Sequence, residues 1–276
     1  RIEDKTAVRT ASITNKPSNV HNTDENAVLL PRAPVVCVMG HVDHGKTTLL
    51  DTLRNGPGEV AGTEAGGITQ KLSAFGVEVT PGRNVMFLDT PGHAAFSSMR
   101  SHGAIATDLV ILVVAIDDGV RPQTIEALKM AKEADCSVIV VLNKVDKIPF
   151  SEREAARNRV LTQLLKHDLI VEEFGGDVQV AEVAGRTGEG IDALMESLLL
   201  QAEVLELQAS ITGQAEAIVL DASVERGRGV VAEVLVRWGS LSVGDAVVVG
   251  GSYGKVKSMV NDRGEAVRTA LPSHSV

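Results

Sequence analysis

Short runs of apolar, largely β-branched residues recur through the middle of the chain, and stretches with helical periodicity separate them. Continuous apolar runs of this length are typical of strands that are buried on both faces. Their alternation with helical segments predicts an α/β domain, in which a mainly parallel sheet has helices on both sides. The runs are Val35–Met39, Val85–Leu88, Leu109–Val114, Val138–Leu142 and Val178–Val183.

The last quarter of the chain has a different pattern. Apolar residues at helical spacing over Gly190–Leu207 predict the final helix of the α/β domain, and short strand-like runs broken by glycine-rich turns follow it. We therefore expect one domain over residues 34–207 and a second over residues 208–276, a small antiparallel β-barrel that is incomplete in this chain. Its predicted strands are Ala217–Leu220, Val230–Val236, Ala246–Val249 and Val256–Met259.

Residues 1–33 differ from both domains. They are rich in Asn, Thr, Ser and charged residues and show no apolar periodicity. Segments that cannot bury much apolar surface tend to stay unfolded, so this composition predicts a flexible leader.

The first apolar run leads directly into Gly40–Thr47, which reads Gly-His-Val-Asp-His-Gly-Lys-Thr. A glycine-rich turn between a strand and a helix lets backbone amides surround a phosphate, and the helix N-terminus adds positive potential. Lys46 supplies a cation, and the Thr47 hydroxyl can ligate Mg²⁺. The predicted phosphate-binding residues are Asp43, His44, Gly45, Lys46, Thr47 and Thr48.

A second polar segment, Asp89–His93, follows the buried run Val85–Leu88. The carboxyl ends of strands in an open α/β sheet meet the ligand crevice. There Asp89 can hold Mg²⁺ through water, and Gly92 can present its amide to a γ-phosphate. We expect His93 to orient the attacking water, which makes it the candidate catalytic residue.

A third polar segment, Asn143–Asp146, follows the buried run Val138–Leu142. The carboxylate of Asp146 can accept hydrogen bonds from N1–H and the amino group of guanine, which adenine does not offer, and Asn143 can hold the other edge of the purine. A buried carboxylate left unpaired by the wrong base carries a large penalty. The segment Asn143, Lys144 and Asp146 therefore predicts guanine selectivity.

The glycine-rich stretch between the phosphate loop and Asp89 includes Gly66–Thr69. Such a segment suits ordering by a ligand, with Thr69 reaching Mg²⁺ only when a γ-phosphate is present. We predict that it acts as a switch.

Composition further limits the partners and the compartment that we expect for this protein. The formal net charge is −9, which disfavours broad adhesion to nucleic acid or anionic lipid. No apolar run approaches the ~20 residues needed to span a bilayer, so we expect no membrane partner. Cys37 and Cys136 are each assigned to an apolar run that is typical of a buried strand, and they form no CxxC pair, which favours buried thiols in a reducing compartment.

The phosphate loop and Asp89–His93 match, letter for letter, the two corresponding motifs of translational GTPases, and the chain resembles this family from about Arg32 to Val276. Further segments are similar to translation initiation factor 2 of bacteria and organelles. These are Gly66–Gln70, Asp89–Phe96, Asp117–Val120 with Pro122–Thr124, and Leu200–Leu207.

The resemblance implies an enzyme that binds GTP or GDP with Mg²⁺ and hydrolyses GTP on the ribosome, while initiator tRNA is placed and the two subunits join. It implies that Val42 and Ile68 form an apolar gate in front of His93, and that Thr47 and Thr69 hold the metal. The second domain would meet the small ribosomal subunit.

Two departures from the family pattern bear on these expectations. Residues Ala184, Gly185 and Arg186 stand where the family usually has Ser-Ala-Lys at the last guanine-contacting loop. The Gly185 amide can still reach the guanine carbonyl, but we expect the lost hydroxyl to loosen the loop. The sequence also ends before the domains that carry the family's initiator-tRNA site, so we expect residues 1–276 not to bind that tRNA alone.

The stretch Asn143–Val180 resembles mitochondrial members more than bacterial ones, which favours the mitochondrial matrix over the bacterial cytoplasm or the plastid stroma. Two functional alternatives stay open. One is an elongation-type or specialised aminoacyl-tRNA carrier. The other is a GTP-binding regulatory module that does not act on the ribosome.

Overall fold

The computed structural model describes residues 10–14, 28–56, 73–89 and 107–276, with the backbone alone for 10–14. The chain divides into two compact units. One unit takes Pro34–Glu206, and the other takes Leu207–Val276 together with the strands that precede residue 34. Each unit is described by itself.

A six-stranded sheet forms the centre of the first unit, and its strand order is β4-β5-β3-β6-β7-β8. The edge strand β4 pairs antiparallel with its neighbour β5, whereas the other neighbouring strands run parallel. The prediction of a parallel-rich sheet is thus confirmed. The strands are β3 (Val35–Gly40), β4 (Ser73–Thr80), β5 (Arg83–Asp89), β6 (Leu109–Ala115), β7 (Ser137–Asn143) and β8 (Gln179–Glu182).

Helices cover this sheet, since every residue of β3 and β6 is buried. Val36 and Val38 of β3 share a core with Leu49 and Leu194, which lie on two of the helices. Burial on both faces explains the continuous apolar runs in the sequence. The described helices of this unit are α1 (Lys46–Asn55), α2 (Pro122–Glu133), α3 (Phe150–Leu165) and α4 (Ile191–Val204).

The second unit consists of short strands around a smaller core, which is formed by residues such as Ala217, Val236 and Met259. Its largest sheet has the order β11-β10-β1-β13-β14, with antiparallel pairing except at β1. The strands of that sheet are β1 (Thr10–Thr14), β10 (Glu216–Glu225), β11 (Gly229–Trp238), β13 (Ala246–Val249) and β14 (Ser252–Lys255).

Three two-stranded pairs complete the second unit. They are β2 (Leu29–Pro31) with β9 (Gln208–Ser210), β12 (Leu241–Ser242) with β17 (Thr269–Ala270), and β15 (Met259–Val260) with β16 (Ala266–Val267).

Two predictions need correction, one of a strand and one of the leader. The predicted strand Val256–Met259 does not form as such, because the tight turn at Gly250 and Gly251 pairs Val249 with Ser252, and strand β14 comes earlier in the sequence. The expected leader over residues 1–33 contains strands β1 and β2. Both strands pair with segments more than 170 residues away, which no local pattern reveals. Among the described residues, no helix combines the length and the apolar character needed to cross a membrane.

Candidate functional site

The phosphate loop lies between β3 and α1, as the sequence predicts. After Gly40 the chain makes a short 3-10 turn, Val42–His44, and Gly45 then adopts a left-handed conformation with φ of 82° before the helix begins. Gly40 has φ of 147°, and a Cβ atom there would lie 2.3 Å from the carbonyl oxygen of Val113. Only glycine fits so close to the neighbouring strand β6.

Lys46 is the first residue of α1 and is buried, with 4 % of its surface exposed. Its Nζ donates a hydrogen bond to the carbonyl oxygen of His41 at 2.7 Å, which closes the loop on itself. Thr47 and Thr48 follow in the same turn and are half-buried. The Lys46 cation and the amides at the N-terminus of α1 thus lie at one point, which favours an anion.

Asn143 joins three separate segments of this site. Its side-chain nitrogen donates to the carbonyl oxygens of His44, at 2.9 Å, and Gly45, at 3.3 Å. Its side-chain oxygen accepts from the backbone amides of Lys144, at 2.8 Å, and Gly185, at 3.0 Å. The residue is 2 % exposed. A side chain expected to contact a purine therefore also ties the phosphate loop to the loop after β8.

The loop Ala184–Arg186 lies against the start of α1. The Thr52 hydroxyl donates to the carbonyl oxygen of Gly185, and a Cβ atom on Gly185 would lie 3.2 Å from Cα of Leu49. Ala184 is buried, and its carbonyl oxygen accepts from the amides of Thr187 and Gly188 at 3.0 and 2.9 Å. Despite the departure from the family pattern, the loop is held at several points, while Arg186 is exposed.

The segment after β7 presents two charged side chains. Lys144 has φ of 67°, and its Nζ donates to the carbonyl oxygen of Asp43 in the phosphate loop. Asp146 lies in the short 3-10 helix Val145–Lys147 and is exposed, so its carboxylate is open to a ligand. Lys144 thus links the predicted base-binding segment to the predicted phosphate-binding one.

His44 is the most deeply buried titratable group of the loop, with 1 % of its surface exposed. Burial lowers the pKa of His44, although its Nε2 lies 3.1 Å from Oδ2 of Asp118 and its Nδ1 lies 3.3 Å from the carbonyl oxygen of Val113. Hydrogen bonds from Arg121 and His44 hold the pKa of the Asp118 carboxyl well below its usual range. The buried His44 imidazole is therefore neutral and lies beside the ionised carboxylate of Asp118.

A cavity of about 560 Å³ opens beside the phosphate loop. Both signs of charge line it, so it is suited to a polar ligand with several hydrogen-bonding groups. Its charged and imidazole side chains are His41, Asp43, Asp117, Asp118, Arg121 and Lys144.

The metal-binding prediction rests on oxygen donors, which Mg²⁺ prefers. Asp89 ends β5 and is paired in register with Val38 of β3, so it lies at the same sheet edge as the phosphate loop. Asp89 and Thr47, near the start of α1, are both oxygen donors, so their chemistry suits a magnesium ion. The other predicted residues, Ile68, Thr69, Gly92 and His93, lie outside the described residues.

Comparison with known proteins decides the family. A sequence model of the elongation factor Tu GTP binding domain matches residues 31–203, and one of elongation factor G domain 2 matches residues 214–276. The chain belongs to the translational GTPase family.

Within this family the chain is similar to bacterial translation initiation factor IF-2. It is 54 % identical over 242 residues to the factor of Parvibaculum lavamentivorans, covering 88 % of this chain and 26 % of that protein. It is 51 % identical over 257 residues to the factor of Maricaulis maris, covering 93 % and 29 %. The chain thus spans little more than a quarter of the length of these curated relatives.

Two solved structures are similar in fold and sequence. GDP-bound aIF5B from Aeropyrum pernix has a TM-score of 0.71 and 29 % identity, covering 89 % of this chain and 51 % of that one. A bacterial selenocysteine-specific elongation factor, EF-Sec, has a TM-score of 0.70 and 28 % identity, covering 88 % and 41 %. The mitochondrial assignment from Asn143–Val180 is not supported, because the relatives are bacterial.

Three residues of this translational GTPase contact the site without having been predicted to do so. Thr52 and Asp118 bind Gly185 and His44, and Gln123 binds the start of the phosphate loop. Thr52 fits the helical pattern of α1 and gives no signal. Asp118 and Gln123 lie in the two short segments that resemble initiation factor 2, which was the one available signal.

Proposed function

We propose that this chain is the GTP-binding part of a bacterial-type translation initiation factor, which binds GTP and GDP with Mg²⁺ and hydrolyses GTP on the ribosome. The observation that carries the proposal is the set of hydrogen bonds made by Asn143. It fastens the phosphate loop, the Asn143–Asp146 segment and the Gly185 loop into one site. The similarity to IF-2 supports the assignment to initiation.

Nucleotide binding uses the chain's own groups at each end of the ligand. Lys46 and the amides at the start of α1 hold the phosphates. Asp146 accepts from the guanine edge, the Gly185 amide donates to the guanine carbonyl, and Lys144 lies along the path between base and phosphates. Thr47, Thr69 and Asp89 would hold Mg²⁺, which would neutralise charge on the phosphate oxygens.

Hydrolysis then depends on positioning rather than on covalent chemistry with the protein. Water attacks the γ-phosphorus, the bond to the β–γ bridging oxygen breaks, and GDP and phosphate leave. His93 orients the water, and Gly92 donates its amide to the γ-phosphate. The apolar pair Val42 and Ile68 keeps His93 from the water until the ribosome moves it.

The partners follow from the same assignment. The second unit meets the small ribosomal subunit, and the large subunit triggers hydrolysis. Initiator tRNA binds through parts of the longer protein outside residues 1–276. The bacterial cytoplasm is the proposed compartment, with the plastid stroma as the alternative. A second candidate, an elongation-type carrier of aminoacyl-tRNA, is favoured by the similarity to EF-Sec.

The test is GTP turnover by the full-length protein with and without large ribosomal subunits, with ATP as the control nucleotide. We expect slow turnover alone and strong stimulation by the subunits with GTP only. Tight GTP binding without stimulation would instead support a regulatory module. Stimulation that also needs a codon-matched elongator aminoacyl-tRNA would support the carrier.

A further inference from the structure

Gln123, in the first turn of α2, contacts the first two residues after Gly40. Its Oε1 accepts a hydrogen bond from the backbone amide of Val42 at 3.1 Å and lies 2.5 Å from Nδ1 of His41. The carbonyl oxygen of His41 accepts a hydrogen bond from Nζ of Lys46. Gln123 thus contacts the His41 ring and the Val42 amide, which lie on either side of the His41 carbonyl group that binds Lys46.

The position of Gln123 is itself well fixed. The hydroxyl of the buried Thr124 accepts from the Arg121 amide at 3.3 Å, and the Thr124 amide donates to the Arg121 carbonyl oxygen at 2.9 Å. These two hydrogen bonds fix the first turn of α2, so the Gln123 carboxamide is presented to the loop from a rigid support.

We propose that Gln123 is a positioning residue that sets how long a bound guanine nucleotide stays in the site. The inference rests on the proposed function, because the nucleotide phosphates must occupy the loop. A loop that is already held in one geometry loses less conformational freedom on binding, so the ligand stays longer. Without the Gln123 oxygen, the Val42 amide and the His41 ring lose their shared acceptor, and the loop loosens around the phosphates.

Two substitutions separate the acceptor from the bulk of the side chain. Gln123→Met keeps the length but removes the acceptor, whereas Gln123→Glu keeps an acceptor oxygen. The readout is the dissociation rate of methylanthraniloyl-GDP from the full-length protein, measured by stopped-flow displacement. We expect release about three- to tenfold faster for Gln123→Met, the range for one or two neutral hydrogen bonds. Gln123→Glu should stay within about twofold of the parent.

Gln163→Met is the matched control. It makes the same chemical change at an oxygen that also accepts a backbone amide, but that amide belongs to Val120 and not to the phosphate loop. We expect its dissociation rate to equal that of the parent. Rescue by Glu, together with this control, distinguishes positioning from a general loss of stability.

Three results would overturn the inference alone: parent-like or slower release by Gln123→Met, equal acceleration by Gln163→Met, or no rescue by Gln123→Glu. A parent protein that binds no methylanthraniloyl-GDP would overturn the proposed function and this inference together. The two failures are therefore distinguishable in one set of traces.

Discussion

Each of the two units fixes a loop with one asparagine side chain, and the two asparagines differ in reach. Asn143 is buried and joins segments that are 99 and 42 residues away in sequence. Within the described part of the chain, the Asn261 side chain of the second unit bonds to residues two to four positions ahead, accepting from the amides of Arg263 and Glu265. The first contact assembles a site from distant pieces, whereas the second closes a turn.

This difference explains where function lies. A buried side chain that satisfies several distant backbone groups makes the whole arrangement cooperative, since no segment can move without leaving a polar group unpaired. A local turn can open without such a penalty elsewhere. The nucleotide site therefore belongs to the unit whose loops depend on one another.

The largest effect should come from Asn143→Ala. It removes partners from two carbonyl oxygens and two amides, and the bonds to the His44 carbonyl oxygen and the Gly185 amide are buried. Unsatisfied buried groups cost about 1–3 kcal/mol each, so with two of them we expect a loss of about 2–6 kcal/mol from the free energy of unfolding of the first unit. Guanine nucleotide affinity should fall below detection. The loss of stability is measured by denaturant titration, with hydrogen exchange of individual peptides as the readout that identifies the first unit.

Asn261→Ala is the matched change in the second unit. Its lost hydrogen bonds are local and exposed to water, so the cost should be under about 1 kcal/mol and nucleotide affinity should not change. If both alanine variants destabilise their units equally, the contrast between distant and local ties is wrong.

The same contrast limits what could be predicted from the sequence. Buried strands of the first unit appear as unbroken apolar runs, and the phosphate loop and the Asn143–Asp146 segment have short motifs whose chemistry is local. The turns at Gly250 and Asn261 are also local signals. By contrast, strand β1 pairs with β10 across 204 residues of sequence, and Gln123 contacts Val42 across 81, so no local pattern indicates either contact.

A smaller effect is expected from Gly185→Ala, which tests how closely the loop approaches α1. The added methyl group would lie 3.2 and 3.3 Å from the Cα and N atoms of Leu49, which are backbone atoms and cannot turn away. Overpacking of this kind costs about 1–3 kcal/mol. We expect a loss near the lower end of that range and a several-fold weaker affinity for GDP, measured by denaturation and by fluorescence titration.

Gly251→Ala gives the corresponding change in the second unit, where a Cβ atom would meet nothing within 4 Å. Its stability should stay within about 0.5 kcal/mol of the parent. A neutral Gly185→Ala would mean that the loop is free to move away from α1.

The smallest effect concerns charge. The pKa of Asp118 is held below its usual range by Arg121 and then by His44, so the ionised carboxylate stabilises the folded state above the pKa of about 3.9 that it has when unfolded. That contribution is lost as the pH falls toward the folded pKa. The Asp118 side chain is 31 % exposed, so solvent screening limits the effect, and Asp118→Asn should cost about 1 kcal/mol at pH 7.

The pH dependence distinguishes a lost charge from a packing defect, because the cost of a packing defect does not change as carboxylates are protonated. The stability difference between parent and Asp118→Asn should be constant from pH 7 to about pH 5 and shrink as the pH falls below about 4. Glu225→Gln is the control in the second unit. It breaks an ion pair in which the Arg228 side chain is 70 % exposed and the Glu225 side chain is 45 % exposed. We expect this substitution to leave stability unchanged at every pH. A constant difference for Asp118→Asn down to pH 3 would assign its effect to lost shape and not to charge.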